Sequence, residues 1–286
     1  MNEQNQNQSA LILSALTVAK EAARKGGARA RELRESGEFS ISFKGNRDLV
    51  TEADLQCEEI IIQVIREAFP EHNILSEEGE LPPLSSLHKG PLWIIDPIDG
   101  TTNFAHGQPC VGVSVGFAID GRRQAGAVYC PFLDEMFSAA RGHGAYLNDK
   151  RISVSTVTTP EEALVCTGFP YQREYLEGVM HRLGRVLSQF RDLRRLGACS
   201  VDLCFTACGR LDGFYEDVKP WDVAAGLMIA EEAGAFIGRF EDPRPEYRAW
   251  RDPNGETPPD IDGTNIIVCS PGIAEALQQA LKPSGH

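Results

Sequence analysis

The stretch Trp93-Ile94-Ile95-Asp96-Pro97-Ile98-Asp99-Gly100-Thr101-Thr102-Asn103-Phe104 restricts this chain more than any other. Its apolar run, Leu92 to Ile95, predicts a buried strand. An acid ends the run, and Pro97, which lacks a backbone donor, is expected to stop the ladder there. Asp96 and Asp99 flank the turn, so two carboxylates and the Ile98 carbonyl converge on one point. Gly100-Thr101-Thr102 then opens a short helix, whose first amides suit an anion. Acids suited to a hard cation thus stand beside amides suited to a phosphate, which points to metal-assisted phosphoryl chemistry. A plain turn also accounts for Asp-Pro-x-Asp-Gly taken alone, because these residues dominate turns.

Three further acidic motifs weigh on that choice. In Lys44-Gly45-Asn46-Arg47-Asp48-Leu49-Val50-Thr51-Glu52-Ala53-Asp54, Thr51 caps a helix that buries Leu55, Ile61, Ile62 and Ile65. Asp48 and Asp54 fall near its start, where negative charge is favoured and simple capping is the competing role. Asn73 to Leu75 predicts a short strand, and Ser76-Glu77-Glu78-Gly79-Glu80 follows it. Acids at the end of a strand suit a ligand site at a sheet edge, and a solvated charge run is the alternative. In Glu216-Asp217-Val218-Lys219-Pro220-Trp221-Asp222, Asp222 opens a helix, with N-capping as its competing role.

The rest of the chain divides by texture. Residues 1–8 are Asn/Gln-rich and read as a disordered tail. Ser9 caps a first helix that Gly26-Gly27 is expected to kink. Apolar runs from Val111 to Val154, punctuated by Asp120-Gly121 and Gly142-His143-Gly144, predict an antiparallel meander. From residue 160 strands and helices alternate: Leu164 to Thr167, Glu174 to Phe190, Leu193 to Leu196, Ser200 to Cys208, Leu211 to Tyr215. Alternation of that kind predicts an α/β half with partly parallel strands. Residues 239–263 read as a long exposed loop, closed by a strand at Ile266 to Cys269 and a helix at Ile273 to Leu281. The prediction is one domain over 9–286, with halves at about 9–157 and 158–286.

Composition sets limits on partners. A formal charge of −13 over 286 residues argues against a nucleic-acid surface. It permits a small phosphorylated substrate, because bound cations reverse the local field. The eight cysteines form no CxxC pair, so a zinc site is not expected, and a reducing, cytoplasmic setting is. The N-terminus has no secretion signal, and the apolar run Ala10 to Ala19 is too short to span a bilayer. Four separated acids, Glu77, Asp96, Asp99 and Asp222, would repel one another severely if they met without cations. All-oxygen ligands point to Mg²⁺, two or three ions per site. Neither a nucleotide-binding P-loop nor an activated Ser–His pair is present, so direct attack by water is the simpler course.

These motifs, in their order and separation, resemble the inositol monophosphatase family of lithium-sensitive, magnesium-dependent phosphatases. Asp48 to Asp54, Ser76-Glu77-Glu78, Trp93 to Phe104 and Lys219 to Gly226 carry the resemblance, which spans roughly residues 9 to 282. It implies a layered αβαβα sandwich, an α+β and α/β arrangement of the sugar-phosphatase type, and a homodimer. By the same resemblance Glu77, Asp96 and the Ile98 carbonyl hold one metal. Asp96, Asp99 and Asp222 hold a second, and Glu77 helps with a third. Thr101, supported by Asp54, orients the attacking water, and the Gly100 and Thr101 amides hold the phosphate. Asp99, Gly197, Ala198, Cys199 and Glu216 face the polyol. The chain departs from the family pattern in having Ser76 where a glycine is usual. Lys44 lies one residue closer to Asp48, and Glu216 and Asp222 are separated by one residue fewer. The implied substrate is inositol 1-phosphate or a related polyol or sugar phosphate. Fructose 1,6-bisphosphate, histidinol phosphate and nucleotide 3′-phosphates are alternatives, as is a regulatory binding protein that retains the fold.

Overall fold

The computed structural model describes residues 3–43, 49–79, 89–170, 176–241 and 260–282. Two sheets and three helix layers alternate. In the outer layer lie α1 (Glu3–Ser36) and α2 (Glu52–Ala68), the latter preceded by a small hairpin of β1 (Ile41–Phe43) and β2 (Leu49–Thr51). Their apolar faces cover a seven-stranded sheet. Its strands are β3 (Asn73–Ser76), β4 (Pro91–Asp99), β5 (Gly112–Ile119), β6 (Arg122–Cys130), β7 (Glu135–Ala140), β8 (Gly144–Leu147) and β9 (Lys150–Ile152), in that spatial order. Only β3 and β4 run parallel; the remainder is the expected antiparallel meander. The short α3 (Thr101–His106) follows β4.

The second sheet carries β10 (Leu164–Thr167), β11 (Asp192–Arg194), β12 (Gly213–Glu216), β13 (Phe236–Arg239) and β14 (Ile266–Cys269), ordered β11-β10-β12-β14-β13. Here β10 is parallel to both β11 and β12, whereas β14 is antiparallel to its neighbours. Between the sheets lie α5 (Cys199–Ala207) and α6 (Pro220–Glu232). On the far face lie α4 (Leu176–Gln189) and α7 (Ala274–Leu281). The order is α, β, α, β, α, the layered sandwich the resemblance implies.

Several local expectations change. Pro97 does not end its strand: β4 continues to Asp99, and the register to β5 shifts between Asp96 and Asp99. A bulge absorbs the residue that lacks a donor, and the Ile98 amide turns inward to donate to Asp96 Oδ1 at 3.1 Å. The first helix begins at Glu3 instead of Ser9, so residues 3–8 are helical and not a tail. Extending a helix already nucleated costs little per residue. Gly26 and Gly27 do not break α1. A Cβ on Gly26 would meet Ile61, and one on Gly27 would meet Tyr129, so both glycines permit close packing onto α2 and the sheet. The expected loop at 239–263 starts inside β13, whose four residues show no alternating pattern, and most of the remainder lies outside the described residues. Lys44 and Asp48 also lie outside them.

Candidate active site

Three helix starts, those of α3, α5 and α6, and the end of β4 meet at one cavity of about 360 Å³. The bulge holds Asp96 and Asp99 on the same side of β4, both buried. Asp222 comes from the first turn of α6, where Pro220 occupies the position that needs no donor. Ligand oxygens of Asp96, Asp99 and Asp222 lie within 4.8 Å of one another. Glu77 follows β3, and its amide donates to the Ile95 carbonyl at 3.2 Å, which aligns it with β4. Its side chain lines the same cavity, together with Ile98, Gly100 and Thr101.

Each acid at the centre is held by a backbone amide. Asp222 Oδ2 accepts from the Lys219 amide at 2.7 Å. Asp99 accepts from the Cys199 amide at 3.1 Å and the Ser200 amide at 2.6 Å, both at the start of α5. The Ser200 hydroxyl adds a third bond at 2.5 Å. Asp54 Oδ2 accepts from the Thr51 amide at 2.8 Å and the Thr51 hydroxyl at 2.6 Å, the reciprocal half of a capping box. Its other oxygen faces Thr101, whose hydroxyl lies 3.3 Å from Asp54 Oδ1 and 3.2 Å from the Ile98 carbonyl. Capping and participation in the site are therefore the same contacts for Asp54 and Asp222.

The electrostatics calls for cations. Burial pushes the Asp96 carboxyl well above its ordinary range, and Glu77, Asp99 and Asp222 push it further. Burial and then Asp99 raise Asp222 to about 8. Asp99 is raised by burial while the Ser200 and Cys199 donors pull it back. Burial raises Asp54 to about 6 against its Thr51 bonds. Glu216 is raised to about 8 by burial and by Asp202. Carboxylates gathered this tightly, with helix amides as their hydrogen-bond donors, make a donor set that fits a hard divalent cation.

The remaining expected residues are also here. Gly197, Ala198, Cys199 and Glu216 line the cavity wall. The Cys199 amide is already engaged by Asp99. Gly100 takes a left-handed φ of 93°, and a Cβ there would press on the Cys110 and Gly197 carbonyls, so the tight approach needs glycine. Three contributors were not read from sequence: Ser200, Asp202 and Arg195. Asn103 ties α3 to the 196–198 segment by donating to the Leu196 and Cys110 carbonyls, each at 2.7 Å. Asp202 had a readable signal, a lone carboxylate inside the apolar run from Val201 to Cys204.

The fold and site together define an αβαβα-layered protein with an acidic metal-binding cluster. The model of the inositol monophosphatase family matches residues 13–284. The chain is 38% identical to a protein named Nus factor SuhB from Vibrio cholerae, over 95% of this chain and 97% of that one. It is 43% identical to inositol monophosphatase 2 of Solanum lycopersicum, over 77% and 85%. The crystal structure of extragenic suppressor protein suhB from Bartonella henselae superposes with a TM-score of 0.83 at 34% identity, covering 95% and 100%. The chain belongs to the inositol monophosphatase family, a metal-dependent family, and is a phosphatase.

Proposed function

We propose that the chain hydrolyses inositol 1-phosphate or a related polyol or sugar phosphate with Mg²⁺ as its metal, two or three ions per site. The observation that carries this reading is the convergence of Asp96, Asp99 and Asp222 beside the Thr101–Asp54 pair. Glu77, Asp96, the Ile98 carbonyl, Asp99 and Asp222 would hold the ions. Bound Mg²⁺ supplies charge against the phosphoryl oxygens and acidifies water.

The chain's own groups do the rest. The Gly100 and Thr101 amides, at a helix start with no intrahelical acceptor, bind and orient the phosphate. Thr101 Oγ1 accepts a hydrogen bond from the attacking water while its own proton points to Asp54 Oδ1 or the Ile98 carbonyl. Asp54, poised near 6, takes up proton density from that hydroxyl near neutral pH. Asp99, Glu216 and the 197–199 segment position the polyol. We further propose a homodimer in the cytoplasm; all eight cysteines are free, which suits a reducing compartment. Among the described residues no helix is long and apolar enough to cross a membrane.

The likeness to a protein named a Nus factor favours a second reading, a binding role carried by the same fold. Phosphate release separates the two. The panel holds inositol 1-phosphate, fructose 1,6-bisphosphate, histidinol phosphate and a 3′-phosphonucleotide, each with and without Mg²⁺. Strictly Mg²⁺-dependent release, fastest from inositol 1-phosphate, is expected. No release from any of them, with Mg²⁺ bound by calorimetry, would replace the phosphatase reading of this site with the binding one.

A further inference from the structure

Glu77 comes from the least supported strand of the first sheet. The edge strand β3 is four residues long and has β4 on one side only. Its side chains alternate between faces: Ile74 packs toward α1 and α2, and Leu75 packs toward α6. Ser76 turns back toward α2 and is 3% exposed. The next step of the alternation is Glu77, which lines the cavity.

A buried hydroxyl at that place needs a partner, and α2 supplies it: the Ser76 hydroxyl donates to Glu58 Oε1. Glu58 is half-buried and follows Asp54 by four residues, so the two acids lie on one face of α2, a turn apart. The first meets the Thr101 hydroxyl, the second the hydroxyl beside Glu77. A Cβ on Gly79 would lie 3.6 Å from Ser76 Cβ and 3.7 Å from Glu58 Oε1, so the 76–79 turn folds back over the same contact. Successive residues of an extended chain point to opposite faces. Fixing the Ser76 side chain on the α2 face therefore fixes the direction of Glu77 on the other. One backbone bond, from the Glu77 amide to the Ile95 carbonyl, sets its place along β4. A contact on the opposite face stops the strand end from rolling about that bond. Groups that orient a metal ligand bear on metal affinity much as the ligand does.

We propose that Glu58 is a positioning residue: through the Ser76 hydroxyl it locks the end of β3 and aims the Glu77 carboxylate into the metal site. The inference rests on the reading of Glu77 as a metal ligand. It adds that α2 sets both Thr101, through Asp54, and one metal ligand, through Glu58.

Calorimetric titration of Mn²⁺ into the metal-free protein tests it, with a thermal melt on each variant. Glu77→Ala marks the loss that follows when the ligand itself is removed. Ser76→Ala and Glu58→Ala should each weaken Mn²⁺ binding about tenfold, the lower end of the cost of losing a partner that orients a ligand. The double variant should also lose about tenfold and not about a hundredfold, because both changes remove one contact and effects on a shared contact do not add. Glu58→Gln should keep most of the affinity, since its amide oxygen still accepts. The Mg²⁺ concentration for half-maximal phosphate release should rise in step with these losses. Ser76→Gly carries the test if Ser76→Ala impairs folding. Intact Mn²⁺ affinity in folded Ser76→Ala and Glu58→Ala, beside a loss in Glu77→Ala, overturns the positioning role, and a lowered melting temperature alone would make the contact a purely structural one. Losses that multiply in the double variant overturn it as well. Parent-like Mn²⁺ affinity in Glu77→Ala would instead remove Glu77 from the ligand set, and the positioning role with it.

Discussion

At the scale of single residues, the site sets function against stability. Asp96 is buried among like charges, with the Ile98 amide as a donor, and a cation or a bound proton relieves it. Asp96→Asn should therefore cost most of the turnover while stabilising the metal-free protein by on the order of 1–2 kcal/mol, seen as a raised melting temperature. Calorimetric Mn²⁺ binding and a thermal melt check both halves; near-normal turnover would refute Asp96 as a metal ligand. Thr101 stands in a different position, because its hydroxyl touches Asp54 and the Ile98 carbonyl and not the acidic cluster. Thr101→Ala should lower kcat about a hundredfold, the usual scale for a group that handles a proton. Metal affinity should change far less, and abolished Mg²⁺ binding would show that Thr101 acts through the metal site instead.

At the scale of elements, what matters is where helices begin. The starts of α2, α5 and α6 hand their unpaired amides to Asp54, Asp99 and Asp222, so partial positive charge surrounds the acids. The place of α6 depends on two glycines in the sheet below it. A Cβ on Gly126 would meet Ala225 Cα at 2.7 Å, and one on Gly116 would meet Ala224 Cβ at 2.9 Å. Gly126→Ala should push α6 off β6, at a cost of about 1–3 kcal/mol typical of overpacking. Because Asp222 rides on the first turn of α6, the variant should also bind Mn²⁺ more weakly, although residue 126 touches no ligand. Unchanged affinity in a folded Gly126→Ala protein would mean that Asp222 is placed by its own loop.

For the whole molecule, metal and pH are linked. Asp222 and Glu216 reach about 8 in the folded chain, far above their ordinary values near 4. Between those limits the metal-free folded state holds protons that the unfolded chain has released, so its stability falls as pH rises. The metal-free melting temperature should be lower at pH 8.5 than at pH 6. Mg²⁺ at one fixed concentration should raise it more at pH 8.5 than at pH 6, the stabilisation being about 2.7 kcal/mol where that concentration is a hundred times the Kd. A melt that is flat across that range would mean the acids are already compensated without a metal. The sequence by itself was enough for the chemistry of the motifs. Asp96, Asp99 and Gly100 are three and four residues apart, so one strand end and one turn bring them together whatever the rest of the chain does. The same locality made Thr51 legible as a cap and the meander legible from its alternation. Only the tertiary structure decided that Asp222, more than a hundred residues downstream, brings its oxygen within 4.8 Å of those of Asp96 and Asp99, because that depends on α6 settling on Gly116 and Gly126. It alone decided that Ser200 holds Asp99 and that Asp202 faces the cavity. Those contacts join helix starts to a distant strand, and no local periodicity encodes a meeting made by packing two sheets around one layer of helices.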